Sequence, residues 1–109
     1  MIELKRSSCA ILPLVLKGKW FDMIERGEKR EEYRMATDYW LKRLANWDLH
    51  PAGTPVVEFR LGYAKNAPRM AFTVYGVNFR PAGVFIHPDL GEPTDVPHYV
   101  ITLGKRVNL

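Results

Sequence analysis

A chain of 109 residues has the usual length of a single domain, and with 47% hydrophobic residues it can bury a core without disulfides or metals. Residues 1–109 are therefore expected to form one domain. The formal net charge of +4 is compatible with phosphate-bearing partners, although many ordinary soluble proteins carry a similar surplus.

The N-terminal residues and the single cysteine indicate where the protein resides. Residues 1–8 lack the long apolar stretch of a signal peptide, and no apolar run approaches the ~20 residues that span a bilayer. One cysteine cannot form an internal disulfide, which argues against a disulfide-built secreted domain. We expect a soluble, cytoplasmic protein without a membrane partner.

The first third of the chain predicts a strand and a short helix. Cys9–Lys17 is apolar enough for a strand, in which Pro13 argues against a central hydrogen-bonded position. Lys19–Arg26 places its large apolar side chains on one helical face and its charges on the other. Gly27 follows the last turn, where a left-handed cap is favourable.

A second helix is predicted after a charged segment. Lys29–Arg34 is nearly all charged and too short for a free helix. Thr37 can cap the helix that follows. Trp40, Leu41 and Leu44 form the expected buried stripe of that helix.

The second half of the chain changes to the two-residue period of strands. Val56–Leu61 and Arg69–Asn78 are predicted strands, joined by the loop Gly62–Pro68. Val84–Ile86 is a candidate short strand, and His98–Val107 is a final one. About four or five strands with two short early helices predict an α+β domain with a small, strongly bent or closed sheet.

The charged segment belongs to the most specific motif of the chain. Gly27–Arg34 has the pattern Gly-x-Lys-x-x-Glu-x-Arg, and it follows a predicted strand and an aromatic-bearing helix. Together with Val57–Met70 and Tyr99–Gly104, this combination resembles the ASCH family, a relative of the PUA domains, and in particular its small phage and bacterial members. The resemblance covers roughly residues 9–107, nearly the whole chain.

The resemblance implies a PUA-like β-barrel of about five to six strands, with the two helices flanking a cleft. It also implies that Lys29, Glu32 and Arg34 gather in this cleft. ASCH domains are generally proposed to bind RNA, and some members hydrolyse modified nucleosides or cleave RNA. Members that act on acetylated cytidine have a nucleophilic threonine at the position of Glu32, so the resemblance does not imply that activity here.

The residue types of the motif suit nucleic-acid recognition on their own chemistry. An extended segment places Lys29, Glu31 and Tyr33 on one side and Arg30, Glu32 and Arg34 on the other. Arg34 offers a planar fork to a phosphate or a base edge, and Lys29 offers a point charge or a proton. Glu32 can accept from an exocyclic amine or act as a general base. The alternative is that Lys29, Glu32 and Arg34 form structural ion pairs only.

Several aromatic side chains are candidates for stacking on a base. They are Trp20, Tyr33, Trp40 and Tyr63. Core packing is the alternative for the two tryptophans, since both lie on apolar helical stripes. Tyr63 shares its loop with further candidates, namely Lys65 and Asn66, with Arg60 and Arg69 at the two ends of the loop.

No metal or cofactor site is expected from the sequence. His50, His87 and His98 lack metal-ligand spacing, and neither a phosphate-cradling glycine loop nor a nucleophile elbow occurs. Cys9, in an apolar strand, is expected to be buried and inert.

Three functions stay open, in a definite order. The first is a binding module for RNA or a nucleotide-like ligand. The second is a small metal-free hydrolase or ribonuclease in which Lys29 and Glu32 are the catalytic residues. The third is a protein-interaction module that uses the aromatic surface. The oligomeric state and the identity of the ligand do not follow from the sequence.

Overall fold

Six strands and two α-helices make up the residues that the computed structural model describes, which are 1–48, 53–83 and 95–109. The strands are β1 (Ile2–Glu3), β2 (Cys9–Leu16), β3 (Glu31–Met35), β4 (Thr54–Leu61), β5 (Arg69–Arg80) and β6 (His98–Asn108). The helices are α1 (Gly18–Glu25) and α2 (Asp38–Asp48), and a 3-10 turn at Arg6–Ser8 precedes β2. The expected α+β class is confirmed. None of the described helices combines the length and the apolar character needed to cross a membrane.

The strands form one mixed sheet whose longest path runs β2-β4-β5-β6-β1. β2 and β4 are parallel, whereas β5 is antiparallel to both β4 and β6. β3 pairs antiparallel with the start of β6, and β1 pairs parallel with its end. Closing a barrel would require pairing between β2 and β3, which lie at opposite ends of the described sheet. The sheet is open among the described residues, so the expected closed barrel is not shown.

The main core lies between one face of the sheet and the two helices. Alternate strand residues point into it, namely Leu12, Leu14 and Leu16 of β2, Val57 and Phe59 of β4, and Ile101 and Leu103 of β6. The helices contribute Phe21, Ile24, Leu44 and Trp47. This shared burial is what holds two short helices that would be marginal on their own.

A smaller core lies on the opposite face of the sheet. Val56, Ala71 and Val107 are buried there, and Leu4, Cys9 and Leu109 pack against them. Cys9 is only half-buried, and its Sγ lies 3.3 Å from the carbonyl oxygen of Lys5. The expectation of a buried thiol was therefore wrong, because Cys9 lies at the first position of β2, at the margin of this smaller core.

The buried stripe of α2 differs from the predicted one. Leu44 is buried as expected, but Leu41 is 51% exposed, because one residue turns the helix by about 100° away from Trp40. The observed stripe is Trp40, Leu44 and Trp47, at positions i, i+4 and i+7. The indole Nε1 of Trp47 donates to the carbonyl of Ala10 at 2.7 Å, which attaches the last turn of α2 to β2.

The turn that leaves α1 confirms the predicted glycine cap. Gly27 has a φ of +79°, and its N–H donates to the carbonyl of Ile24 at 3.1 Å. The next two amides both donate to the carbonyl of Met23. The chain then reverses into β3, a strand that its charged sequence did not predict. The candidate strand Val84–Ile86 lies outside the described residues.

Candidate functional site

A cavity of about 280 Å³ opens where β2, α1 and β3 approach one another, and we call it the β2–β3 cavity. It is lined by Val15, Leu16, Lys17, Trp20, Lys29, Glu32, Tyr33 and Arg34. Five of the residues predicted for the ligand site therefore meet here: Trp20, Lys29, Glu32, Tyr33 and Arg34. The cavity lies between two strands that do not pair with each other in the described sheet.

Strand alternation brings Glu32 and Arg34 to the same face of β3. Their register partners on β6 are Ile101 and Tyr99, both of which belong to the main core or pack against it. Glu32 is 7% exposed, and its Oε1 accepts the backbone N–H of Tyr33 at 3.0 Å. Arg34 Nε lies 3.9 Å from the same oxygen, an ion-pair distance that is too long for a hydrogen bond. Glu32 is thus a buried carboxylate held in a fixed position beside a guanidinium.

Lys29 is held by aromatic rings. Its Nζ lies 4.3 Å from the ring centroid of Tyr33 and 5.4 Å from that of Trp20. Such cation–π contacts orient an ammonium group without neutralising its charge. The salt bridges of the described residues do not include Lys29, so the alternative of purely structural ion pairs is not observed for this residue. The hydroxyl of Tyr33 donates to Glu31 Oε1 at 3.1 Å, which fixes the ring on the side predicted by strand alternation.

In the turn before β3, Glu28 forms an exposed ion pair with Arg26, so this carboxylate is already paired and does not compete for Lys29. Arg26 donates through Nε and Nη2 to the two oxygens of Glu28, both at 3.0 Å. These hydrogen bonds and the positive charge of Arg26 lower the pKa of Glu28 and raise the pKa of Arg26. Glu28 lines a second, adjoining hollow that also contains Lys29, yet its charge is already matched by its own neighbour.

The helix α2 extends the site from the other side of Arg34. The guanidinium carbon of Arg34 lies 5.0 Å from the ring centroid of Trp40, and that of Arg43 lies 5.2 Å from the same ring. Arg43 Nη1 also donates to the hydroxyl of Tyr39 at 2.9 Å. Neither Arg43 nor Tyr39 was predicted as a site residue. The available signal was their spacing, since residues three and four apart on a helix are neighbours.

The loop between β4 and β5 does not contribute to the β2–β3 cavity. Arg60 Nη2 donates to the carbonyl of Ala64 at 2.9 Å and so closes the loop on itself. Tyr63 is 86% exposed, and Lys65 and Asn66 are exposed as well. None of these four predicted site residues, Arg60, Tyr63, Lys65 and Asn66, lines the cavity that contains Lys29.

The described residues contain no group of three or more His, Cys, Asp or Glu side chains placed to hold a metal ion. His98 is buried, with Nδ1 3.0 Å from the carbonyl oxygen of Val96. His50 and His87 lie outside the described residues. The side chains that line the β2–β3 cavity include an ammonium, a guanidinium, a carboxylate and two aromatic rings.

Comparison with known proteins leaves the site to be interpreted on its own chemistry. No protein-family model matches the chain, and neither the curated proteins nor the solved structures give a significant match. The resemblance to ASCH domains thus stays a prediction from the motif and its flanking segments.

Proposed function

We propose that the chain is an ASCH-like domain that binds RNA or a nucleotide-like ligand in the β2–β3 cavity. One observation supports this most: a single cavity contains an unneutralised ammonium, a guanidinium, one buried carboxylate and two aromatic rings. A nucleotide offers complementary groups, namely a phosphate for the cations, a polar base edge for the carboxylate and guanidinium, and a planar base for the rings.

Each side chain has a distinct part in this interaction. Lys29 contacts a backbone phosphate as a point charge. The pair of Glu32 and Arg34 reads a base edge, where the carboxylate accepts from an exocyclic amine and the guanidinium donates to ring acceptors. Trp20 and Tyr33 provide the stacking surface, because each is anchored on one side and lines the cavity on the other. In this proposal the two ends of the sheet approach each other as in a PUA-like barrel, with the ligand at their boundary.

A hydrolase or ribonuclease would use the same Lys29 and Glu32 and is the second candidate. The contacts of Glu32 favour binding over catalysis. Its Oε1 accepts the amide of Tyr33 and lies 3.9 Å from Arg34 Nε, so the carboxylate is held as an oriented acceptor. We also propose a cytoplasmic location, where Cys9 would stay a free thiol.

Titration of labelled single-stranded RNA by fluorescence anisotropy at two salt concentrations tests the proposal. Lys29→Met keeps the aliphatic stem and removes the charge, so we expect about tenfold weaker binding or more. If Lys29 contacts a phosphate, the slope of log K against log salt should also fall by about 0.7. Arg34→Gln should weaken binding with a smaller change in slope, since its role is at the base edge. Lys105→Gln, an exposed charge removal on β6, is the control and should bind as the wild type does.

The same reactions separate the alternatives. RNA that stays intact, with binding lost in Lys29→Met but kept in Lys105→Gln, supports a binding module. RNA cleaved by the wild type and left intact by Lys29→Met would move the protein to the hydrolase class. If neither binding nor cleavage occurs with RNA or free nucleotides, the proposal is wrong and a protein-interaction role takes its place. Lys65→Gln additionally tests the β4–β5 loop, which we expect to leave the affinity unchanged.

A further inference from the structure

A second cavity, of about 320 Å³, lies on the smaller-core side of the sheet and shares no lining residue with the β2–β3 cavity. Its charged lining residues are Arg6, Arg69, Arg106 and Glu58. We call it the arginine cavity. These residues come from four segments that are distant in the chain, the turn before β2 and the strands β4, β5 and β6.

Strand register explains why residues of β4, β5 and β6 line one cavity. Glu58 lies opposite Ala71 on β5, and Ala71 lies opposite Val107 on β6. Arg69 is two residues before Ala71 and so shares its face. Arg106 has Phe72 as its register partner and lines the cavity beside Val107. Small side chains at the centre of this row leave room for a cavity, and charged side chains surround it.

The charges of the arginine cavity do not balance. Glu58 is 7% exposed, and both its oxygens accept from Arg6, Oε2 from Nη1 at 2.7 Å and Oε1 from Nη2 at 3.2 Å. The pKa of Arg6 is raised by this hydrogen bonding and by the negative charge of Glu58. Arg69 Nη1 is 3.9 Å from Oε1, beyond hydrogen-bond distance. Arg106 has no salt bridge among the described residues. The side chains of the residues that line the cavity thus include three guanidinium groups and one carboxylate.

We propose that Arg6, Arg69 and Arg106 form a second binding site, which takes the phosphate dianion of inorganic phosphate or of a phosphomonoester. An excess of two positive charges matches a dianion, and planar guanidinium forks suit tetrahedral oxyanions. Glu58 orients Arg6 by its bidentate contact. Arg69 makes only the 3.9 Å ion pair, and Arg106 makes no salt bridge among the described residues, so both are assigned to the ligand. The site does not depend on the RNA-binding proposal, since the two cavities have no residue in common.

Amide and arginine side-chain NMR signals, followed during titration with inorganic phosphate at constant ionic strength, test this site. We expect saturable shifts at residues 69–71 and 106–108. The double variant Arg69→Gln/Arg106→Gln should raise the dissociation constant at least tenfold. Lys105→Gln removes one charge next to Arg106 and is the matched control, which should bind phosphate as the wild type does. Shifts that do not saturate, or equal affinities in the double variant and the control, would overturn the proposal.

Two further experiments test the charge of the site and distinguish an RNA end from a small phosphate compound as the ligand. Glu58→Gln keeps the shape of the side chain and removes the charge that opposes an anion, so phosphate should bind severalfold more tightly; weaker binding would contradict the proposal. A 5′-phosphorylated RNA that outcompetes its 5′-hydroxyl counterpart for these signals would identify a nucleic-acid end as the source. If neither RNA competes while inorganic phosphate still binds, the site is assigned to a small phosphate compound. Equal competition by both RNAs would show binding of phosphodiesters and would contradict the proposal. The titration with inorganic phosphate tests this site even if RNA does not bind at the β2–β3 cavity.

Discussion

Replacement of Trp47 by phenylalanine tests how α2 is attached to the sheet. Trp47 is 7% exposed, and its Nε1 donates to the carbonyl of Ala10 on β2 at 2.7 Å. Phenylalanine keeps most of the apolar contact but cannot donate, so this carbonyl loses its indole partner. Because Trp40 lies on the same helix and contacts Arg34, the attachment of α2 also bears on the candidate site.

The expected cost follows from two contributions. Loss of this part-buried hydrogen bond costs about 1–2 kcal/mol. The smaller phenyl ring leaves unfilled space against the core, which costs about 1 kcal/mol more. The sum is about 2–3 kcal/mol out of the roughly 5–15 kcal/mol that stabilise a domain of this kind. With a urea m-value of about 1.5 kcal/mol per M, the midpoint should fall by about 1.3–2 M.

Trp40→Phe is the matched control, since it makes the same change in the same helix. Trp40 is only half-buried, and its indole N–H makes no hydrogen bond to the described residues, so its loss should cost less than about 1 kcal/mol. Urea unfolding followed by far-UV circular dichroism measures both variants. Equal midpoints for Trp47→Phe and Trp40→Phe, at unchanged m-values, would refute the role given to the indole of Trp47.

Three further predictions concern two glycines and the exposed ion pair. Gly104→Ala should lower the melting temperature by roughly 5–15 °C in calorimetry, because a Cβ there would collide with the hydroxyl of Thr73, and the Thr73 carbonyl oxygen lies only 3.1 Å away. Gly27→Ala should cost about 1 kcal/mol in urea unfolding from its φ of +79° alone, since the surrounding space is open; no measurable loss would contradict the left-handed cap. The lowered pKa of Glu28 means that its contribution to stability is present above the ordinary glutamate pKa and is lost as the pH falls through the folded-state value. Arg26→Gln should therefore raise the pKa of Glu28 in an NMR titration, and an unchanged pKa would exclude Arg26 as the cause.

Much of the sheet could be predicted because its strands carry a clear period. β2, β4, β5 and β6 were expected near their observed bounds, since apolar side chains alternate along them or fill them. β3 could not be predicted from propensity, because Glu31–Met35 is mostly charged or long and flexible. Pairing with β6 makes it a strand, with Glu32 opposite Ile101, and such a tertiary contact has no local signal in the sequence. The open sheet order follows from the same long-range pairing and was not predicted.

The candidate site was predicted only where it is local in the chain. The motif identified Lys29, Glu32 and Arg34, which are close in the chain and all line the β2–β3 cavity. Lys29 precedes β3, so the alternation of that strand does not separate it from the other two. The β4–β5 loop was added on composition, but the sheet order places it away from the cavity. The arginine cavity had no sequence signal, since Arg6 and Glu58 are 52 residues apart and meet only through strand register.

The position of the β2–β3 cavity follows from how this sheet ends. β2 and β3 each have one partner strand in the described residues, so each leaves backbone groups along its other edge that need a partner. A carboxylate covers one of the exposed amides of β3, as Glu32 does for Tyr33, while an indole of α2 covers a carbonyl of β2, as Trp47 does for Ala10. Charged and aromatic side chains thus hydrogen-bond to edge backbone groups that a further strand would otherwise pair. They also disfavour pairing of another chain at these edges. The same side chains leave a polar hollow between two unpaired edges, where a ligand can be bound by groups that the fold already requires.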